Sequence, residues 1–267
     1  MQAWLGPRAV GFGALTNPAC PSPCTRAERR WAWAVHVFTA SGIIVGMLAL
    51  EAVLGGKPRQ AILLLLATVV IDGIDGPFAR AWDVKGRVPR IDGYVLDLVI
   101  DFVTCVVVPA TFLHQFDLLP GQNWSIVLLS VLVFTSAIWF SRTDMMTDDH
   151  WFRGFPAAWN LVVPTLFLLQ VNPTVAAIIV VILAISQLTD FEFPHTLQVA
   201  ERRILTVVMT SGWMVAIAAL AIIERHVWWL QCWLYIGPAY YVALTVSRQF
   251  SSAPRAVPVA TVRSSKP

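Results

Sequence analysis

The chain of 267 residues is 57% hydrophobic and only 13% charged, with a mean hydropathy of +0.67, values that exclude an ordinary soluble protein. Its formal charge of +3 gives no reason to expect a nucleic-acid partner, because the basic residues gather at the ends of apolar segments. The composition is that of an all-α polytopic membrane protein surrounded by membrane lipids.

Residues 1–30 carry Pro7, Pro18, Pro21 and Pro23 and no uninterrupted apolar core, so they read as a cytoplasmic tail and not as a cleavable signal peptide. Within them, Thr25 to Trp31 reads either as a juxtamembrane amphipathic helix or as a flexible linker. Cys20 and Cys24 have no matching Cys or His pair nearby, and in a reducing cytoplasmic tail they form neither a disulfide nor a zinc site.

Apolar runs near the roughly 20 residues that a spanning helix needs follow at about 32–54, 61–80, 92–114, 123–141, 155–171, 173–189, 204–223 and 227–247. About eight transmembrane helices are therefore expected, in a domain covering 31–250. Pro164 and the pair Asn172 and Pro173 leave open a single broken helix in place of the fifth and sixth. Residues 251–267, rich in Pro, Ser and Val, read as a disordered tail. Cys105 and Cys232 sit in spans as small apolar residues.

With the N-terminus inside, sixteen of the nineteen Lys and Arg residues fall on the cytoplasmic side, and only Lys57, Arg59 and Arg225 fall outside. Both termini and the loop joining the second and third spans are expected to face the cytoplasm.

That loop joins the most informative segment, DGIDGPFARAWDVKGRVPRIDGYVLDLVID at 72–101. Asp72 and Asp75 are three residues apart and Asp97 and Asp101 four apart, so each pair lies on one helix face and the two pairs can converge. A charge at mid-membrane costs roughly 2.5–3.5 kcal/mol on insertion scales, and a hard divalent cation is the simplest counter-charge for four carboxylates. Gly76 and Ala79 clear the helix face for a flat ligand, Arg80 can hold a phosphate oxygen in two-point fashion, and Gly93 makes a notch ahead of Asp97. One carboxylate left off the tightest coordination could accept a proton from an alcohol. The alternative is a proton relay or coupling-ion site of a transporter. No pair of broken helices in equivalent halves supports it.

Asp72, Asp75, Gly76, Ala79, Arg80, Gly93, Asp97 and Asp101 fill every fixed position of the pattern D-x-x-D-G-x-x-A-R followed by G-x-x-x-D-x-x-x-D. The segment thereby resembles the signature of the CDP-alcohol phosphotransferase family. The twelve-residue gap between Arg80 and Gly93, VHVFTASG at 35–42 and FRGFPAAWN at 152–160 resemble its bacterial, choline-using members, over residues 31–247.

The resemblance implies transfer of a phosphatidyl group from CDP-diacylglycerol to choline with release of CMP, with Mn2+ or Mg2+, two ions, as cofactor, in a homodimer of the bacterial inner membrane. It implies metal ligation by Asp72, Asp75, Asp97 and Asp101, with Asp101 also the general base. It implies binding of the CDP-diacylglycerol by Gly76, Ala79, Arg80 and Gly93. Relatives using serine, inositol or glycerol phosphate share the metal site and remain open.

Choline is a quaternary ammonium ion best held by aromatic faces. Tyr94, Trp151, Phe152, Phe155 and Trp159 are the candidates on the cytoplasmic side, with Arg142, Arg153 and Asn160 as polar contacts to the alcohol or lipid phosphate. Each aromatic has the competing role of interface anchor, and Arg142 that of a positive-inside anchor. His36 reads as a core histidine, His150 and His195 as solvated loop residues, and Asp83 and Asp92 as helix caps.

Overall fold

A computed structural model describes residues 25–88, 90–196, 202–225 and 227–251. Residues 1–24 and 252–267, with most of the two expected tails and both Cys20 and Cys24, lie outside the described residues.

The first helix, α1 (Arg26–Leu54), starts at a reciprocal cap: Thr25 Oγ1 accepts from the Glu28 amide, and the Glu28 carboxylate accepts from the Thr25 amide. Residues 26–31 are thus the first turns of α1, continuous with the first span, and not a separate surface helix or linker. Pro58 opens α2 (Pro58–Ala81), where its missing N–H costs nothing. These two helices pack along their length as an antiparallel pair.

A single-turn helix, α3 (Val84–Arg87), tucks Val84 and Val88 against Ala32 and Val35 of α1. Asp92 then caps α4 (Gly93–Asp101), accepting from the amides of Tyr94 and Val95 as expected. Asp83, also expected to cap, stands at the start of α3 in a left-handed conformation (φ 43°) and makes no side-chain cap bond.

After α4 the chain widens into a π turn at Phe102–Val107 before α5 (Val108–Gln115). Pro109 supplies the reason: it has no N–H for the carbonyl of Cys105, and its ring crowds that carbonyl, so the ladder slips upstream. The three pieces together form a span of 23 residues. Close approach fixes α1 against it: a Cβ at Gly46 would stand 2.7 Å from Thr104 Cγ2, and one at Gly42 would stand 3.2 Å from Ile100 Cγ2.

Next come α6 (Gln122–Phe140), α7 (Trp159–Leu168) and α8 (Pro173–Gln187). The fifth expected span shortens to a helix of 10 residues, about 15 Å and half of an apolar layer. Pro156 and the left-handed Ala157 (φ 52°) delay its start, and the left-handed Gln170 (φ 50°) follows its end. Asn172 accepts from the Thr174 amide and starts α8, so the fifth and sixth segments are two helices. Gln187, fully buried, ties α6 to α8 through Thr135 and Ser136, and Ser136 also accepts from the Trp159 indole.

Two further helices, α9 (Arg203–Ile223) and α10 (Trp228–Ser251), complete the bundle. Among the described residues, five helices are long and apolar enough to cross a membrane, α1, α2, α4 through α5, α6 and α9, and helices stand at all eight expected positions. The sequence offers no warning of a short antiparallel ribbon outside the bundle, β1 (Trp151–Arg153) and β2 (Glu192–Pro194), which pairs Phe152 with Phe193.

Candidate functional site

Asp72 on α2 and Asp97 and Asp101 on α4 each place a carboxylate oxygen within 4.8 Å of the other two. Asp75, Asp97 and Asp101 are nearly inaccessible to solvent. Three carboxylates this close in an apolar bundle repel one another and lose hydration. Thr39, Gly42, Thr68, Ile71, Ile100 and Thr104 complete the walls of a cavity of about 10 Å³ around the four aspartates, and none of the residues lining it is basic.

The donor set fits a hard divalent cation. Two oxygens each roughly 2.1–2.5 Å from a common ion stand at most about 4–5 Å apart, a limit compatible with the 4.8 Å bound here, and Asp72 Oδ1 is buried with no hydrogen-bond partner. Asp75 borders the same cavity but falls outside the group of three. Thr68 precedes Asp72 by four residues and Thr104 follows Asp101 by three, a helical spacing that could have flagged both hydroxyls in the sequence.

Asp72 and Asp101 also line a second cavity of about 1350 Å³, which Asp75 and Asp97 do not. Its walls come from α2, the end of α4, the π turn, α6, α7, α8, α9, α10 and both strands of the ribbon. Gly76 and Arg80 border it on α2. On α8 it is lined by Val175, Ile179 and Leu183, one face at four-residue spacing. Val70 and Ile74 of α2 and Tyr235 and Val242 of α10 line it and are among the exposed apolar residues of the fold.

Phe152, Phe155 and Asn160 line this cavity, joined by Trp139, Phe140 and Phe193. Asn160 is held by a hydrogen bond of 3.1 Å from its amide to Cys105 Sγ. The remaining aromatic candidates are placed elsewhere. Tyr94 packs with Ala79, Val84 and Val88 and turns its hydroxyl to Met145. Trp159 is fully buried against Phe155. Trp151 lies under the guanidinium of Arg248, 4.8 Å from the ring centre.

Ala79 and Gly93 are buried beside the site and line neither cavity. Arg142 is bidentate to Asp144 and also pairs with Asp190, and Arg153 reaches the same Asp144. The Arg142 guanidinium holds the Asp144 carboxyl down at about 2. These ion pairs fasten the loop after α6 to the segment after α8.

His150 and His195, read from sequence as solvated, both line the large cavity. His195 stacks on Phe152 with ring centres 5.0 Å apart. Burial, then the nearby His150 and Arg80, hold its pKa down at about 3, so the ring is neutral. Each histidine flanks a strand of the ribbon, a placement that no local sequence pattern marks.

The fold and site define a polytopic membrane protein with an acidic centre between two spans and a large cavity beside it. No family model matches the chain. Curated relatives do: the phosphatidylcholine synthase of Pseudomonas aeruginosa is 36% identical over 204 residues, 76% of this chain and 84% of the relative. That of Rhizobium johnstonii is 32% identical over 231 residues, 86% and 95% of the two chains, and that of Rhizobium meliloti is 37% identical over 184 residues, 69% and 76%. The chain belongs to the phosphatidylcholine synthase family.

Proposed function

We propose that the protein transfers the phosphatidyl group of CDP-diacylglycerol to the hydroxyl of choline, forming phosphatidylcholine and CMP, on the cytoplasmic side of a bacterial inner membrane. The observation that carries this reading is that Asp101 belongs both to the carboxylate cluster and to the wall of the large cavity. A base there can reach an alcohol in the cavity while its neighbours neutralise charge on phosphate.

Asp101 takes the proton of the choline hydroxyl, whose oxygen forms the new bond to the phosphorus bearing the diacylglycerol. The bond from that phosphorus to the CMP oxygen breaks, and CMP leaves with the electron pair. Arg80, at the end of α2 on the cavity wall, binds the departing phosphate, and Gly76 admits the nucleotide close to the backbone. Asp72, Asp75, Asp97 and Asp101 are the ligands for Mn2+ or Mg2+, two ions by family resemblance. When bound, the ions supply Lewis acidity and charge neutralisation at the phosphates.

The aromatic faces of Phe152, Phe155, Phe193, Trp139 and Phe140 on the cavity wall support a quaternary ammonium acceptor. Asn160 is the polar contact proposed for the alcohol. A homodimer rests on family resemblance alone and is checked by native mass in detergent.

The test is CMP release by the purified protein in detergent with CDP-diacylglycerol and Mn2+, comparing choline with serine, inositol and glycerol 3-phosphate. Release that depends on choline and metal is expected. Release with another acceptor would retain the metal chemistry and discard choline, and accumulation of a solute in vesicles without CMP release would favour a transporter.

A further inference from the structure

The turn joining α7 to α8 covers only residues 169–172, yet the two helices scarcely touch along their lengths. Helix α7 packs on α2, the π turn, α5 and α9, whereas among the described residues α8 packs extensively on α6 alone. The space left between them is an apolar arm of the large cavity, bordered by Leu166 and Leu169 on one side and by Val175, Ile179 and Leu183 on the other.

The sequence of α8 divides its surface three ways. Ala176, Val180, Ala184 and Gln187 form the buried stripe against α6. Ile178, Ile182 and Ile185 form an exposed stripe suited to the bilayer. Val175, Ile179 and Leu183 form the third, which lies between those two around the helix and lines the cavity.

What fills this arm must be apolar. Thr165 is the one hydroxyl that α7 presents to the cavity, and it donates to the Leu161 carbonyl at 2.8 Å and accepts from the Trp213 indole at 3.0 Å. Water finds little to bond to there, and an empty gap would forfeit the close packing of a protein interior. The other end of the cavity is chemically different, because Asp72, Arg80, Asp101 and Asn160 line it. One continuous volume thus carries charge where α7 begins and hydrocarbon where α7 ends, the polarity of a lipid with its headgroup at the acidic centre. From Leu183 to Val175 the inward stripe covers about 12 Å of helix axis.

We propose that this arm holds one acyl chain of the lipid donor, and that Ile179 and Val175 select its length. This rests on the transferase reading above, which supplies the donor. A chain reaching past Leu183 meets Ile179 first and Val175 near its end, so Ile179 limits chains of medium length and Val175 only the longest.

The experiment uses the full-length protein in detergent with Mn2+ and compares dioctanoyl with dipalmitoyl CDP-diacylglycerol as donor. Ile179→Trp fills the middle of the arm and is expected to lower kcat/KM for the dipalmitoyl donor about tenfold relative to the dioctanoyl donor. Val175→Trp, at the far end, is expected to shift the same ratio less, and Ile179→Ala to shift it the other way. Ile178→Trp adds the same bulk to the exposed stripe and is expected to leave the ratio within about twofold of the parent's.

A ratio that stays at the parent's value in Ile179→Trp and Ile179→Ala alike would overturn the proposal and leave the arm to a bilayer lipid. Equal shifts in Ile179→Trp and Ile178→Trp would do the same, since bulk alone would then be the cause. A dimer that dissociates in Val175→Trp, with the ratio unmoved, would assign the face to a second copy and also overturn it. The rise in Tm given by each donor, read without turnover, is expected to show the same dependence on Ile179. A parent that shows this chain-dependent rise but releases no CMP from either donor would sink the transferase reading and leave the acyl site standing.

Discussion

Asp101 follows Asp97 by one helical turn on α4, yet Asp101 borders both cavities and Asp97 only the smaller. Two carboxylates of one cluster thereby face different volumes, which is the condition for giving them different work. On the proposed function, an acceptor in the large cavity meets Asp101 and not Asp97.

Asp101→Asn is accordingly expected to lower the rate of CMP release by about a thousandfold, within the usual range for losing a general base, while CDP-diacylglycerol binding persists. Asp72→Asn is expected to lose the metal-dependent part of that binding. Turnover close to that of the parent in Asp101→Asn would remove the base assignment.

Metal removal separates repulsion from ligation. Chelation is expected to abolish CMP release and lower the Tm, and Mn2+ to restore both, because three carboxylates within 4.8 Å repel when uncompensated. In chelator, Asp97→Asn is expected to melt above the parent, having lost one of the like charges. With Mn2+ the order is expected to reverse.

The contact between Gly46 and Thr104 sets the distance from α1 to the π turn. Gly46→Ala places a Cβ 2.7 Å from Thr104 Cγ2, and overpacking of this kind costs about 1–3 kcal/mol. Adding Thr104→Ser removes that methyl and is expected to recover most of the loss in Tm. Failure of the double variant to recover would show that the helices do not meet there.

His195 gives a stability dependence on pH with a definite sign. The unfolded imidazole takes up a proton near pH 6.5, whereas the folded one resists until about 3. Stability from this group is thus present above about pH 6.5 and falls as the pH is lowered toward 3, at up to about 1.4 kcal/mol per unit. The Tm of His195→Phe is expected to depend less on pH between about 7.5 and 5.5 than that of the parent.

Arg248 meets Asp149, Glu192 and the face of Trp151 together. Arg248→Ala is expected to lower stability by about 1–2 kcal/mol, since the pairs are partly exposed. Arg248→Lys is expected to recover little, because an ammonium cannot span both carboxylates and stack on the indole. Thermal melts of the two variants decide this.

The spans and the carboxylates were legible because each depends on local pattern. Apolar length announces α1, α2, α6 and α9, and helical spacing puts Asp97 and Asp101 on one face. The ribbon was not legible: Phe152 and Phe193 are forty-one positions apart, and neither strand is longer than three residues, too short for alternation to register. His150 and His195 took their meaning from that pairing, so they read as ordinary loop residues. The shortening of α7 came from left-handed Ala157 and Gln170, which hydropathy does not sense.

The large cavity is bordered by outward-facing apolar residues, Val70 and Ile74 on one side and Tyr235 and Val242 on the other. A hydrophobic donor reaching such a site through the bilayer is counted per unit of membrane and not per volume of water. On the proposed function, turnover then follows the mole fraction of donor among surrounding lipids. Diluting it with inert phospholipid at constant bulk concentration slows the enzyme, and a cell can throttle the reaction by composition alone.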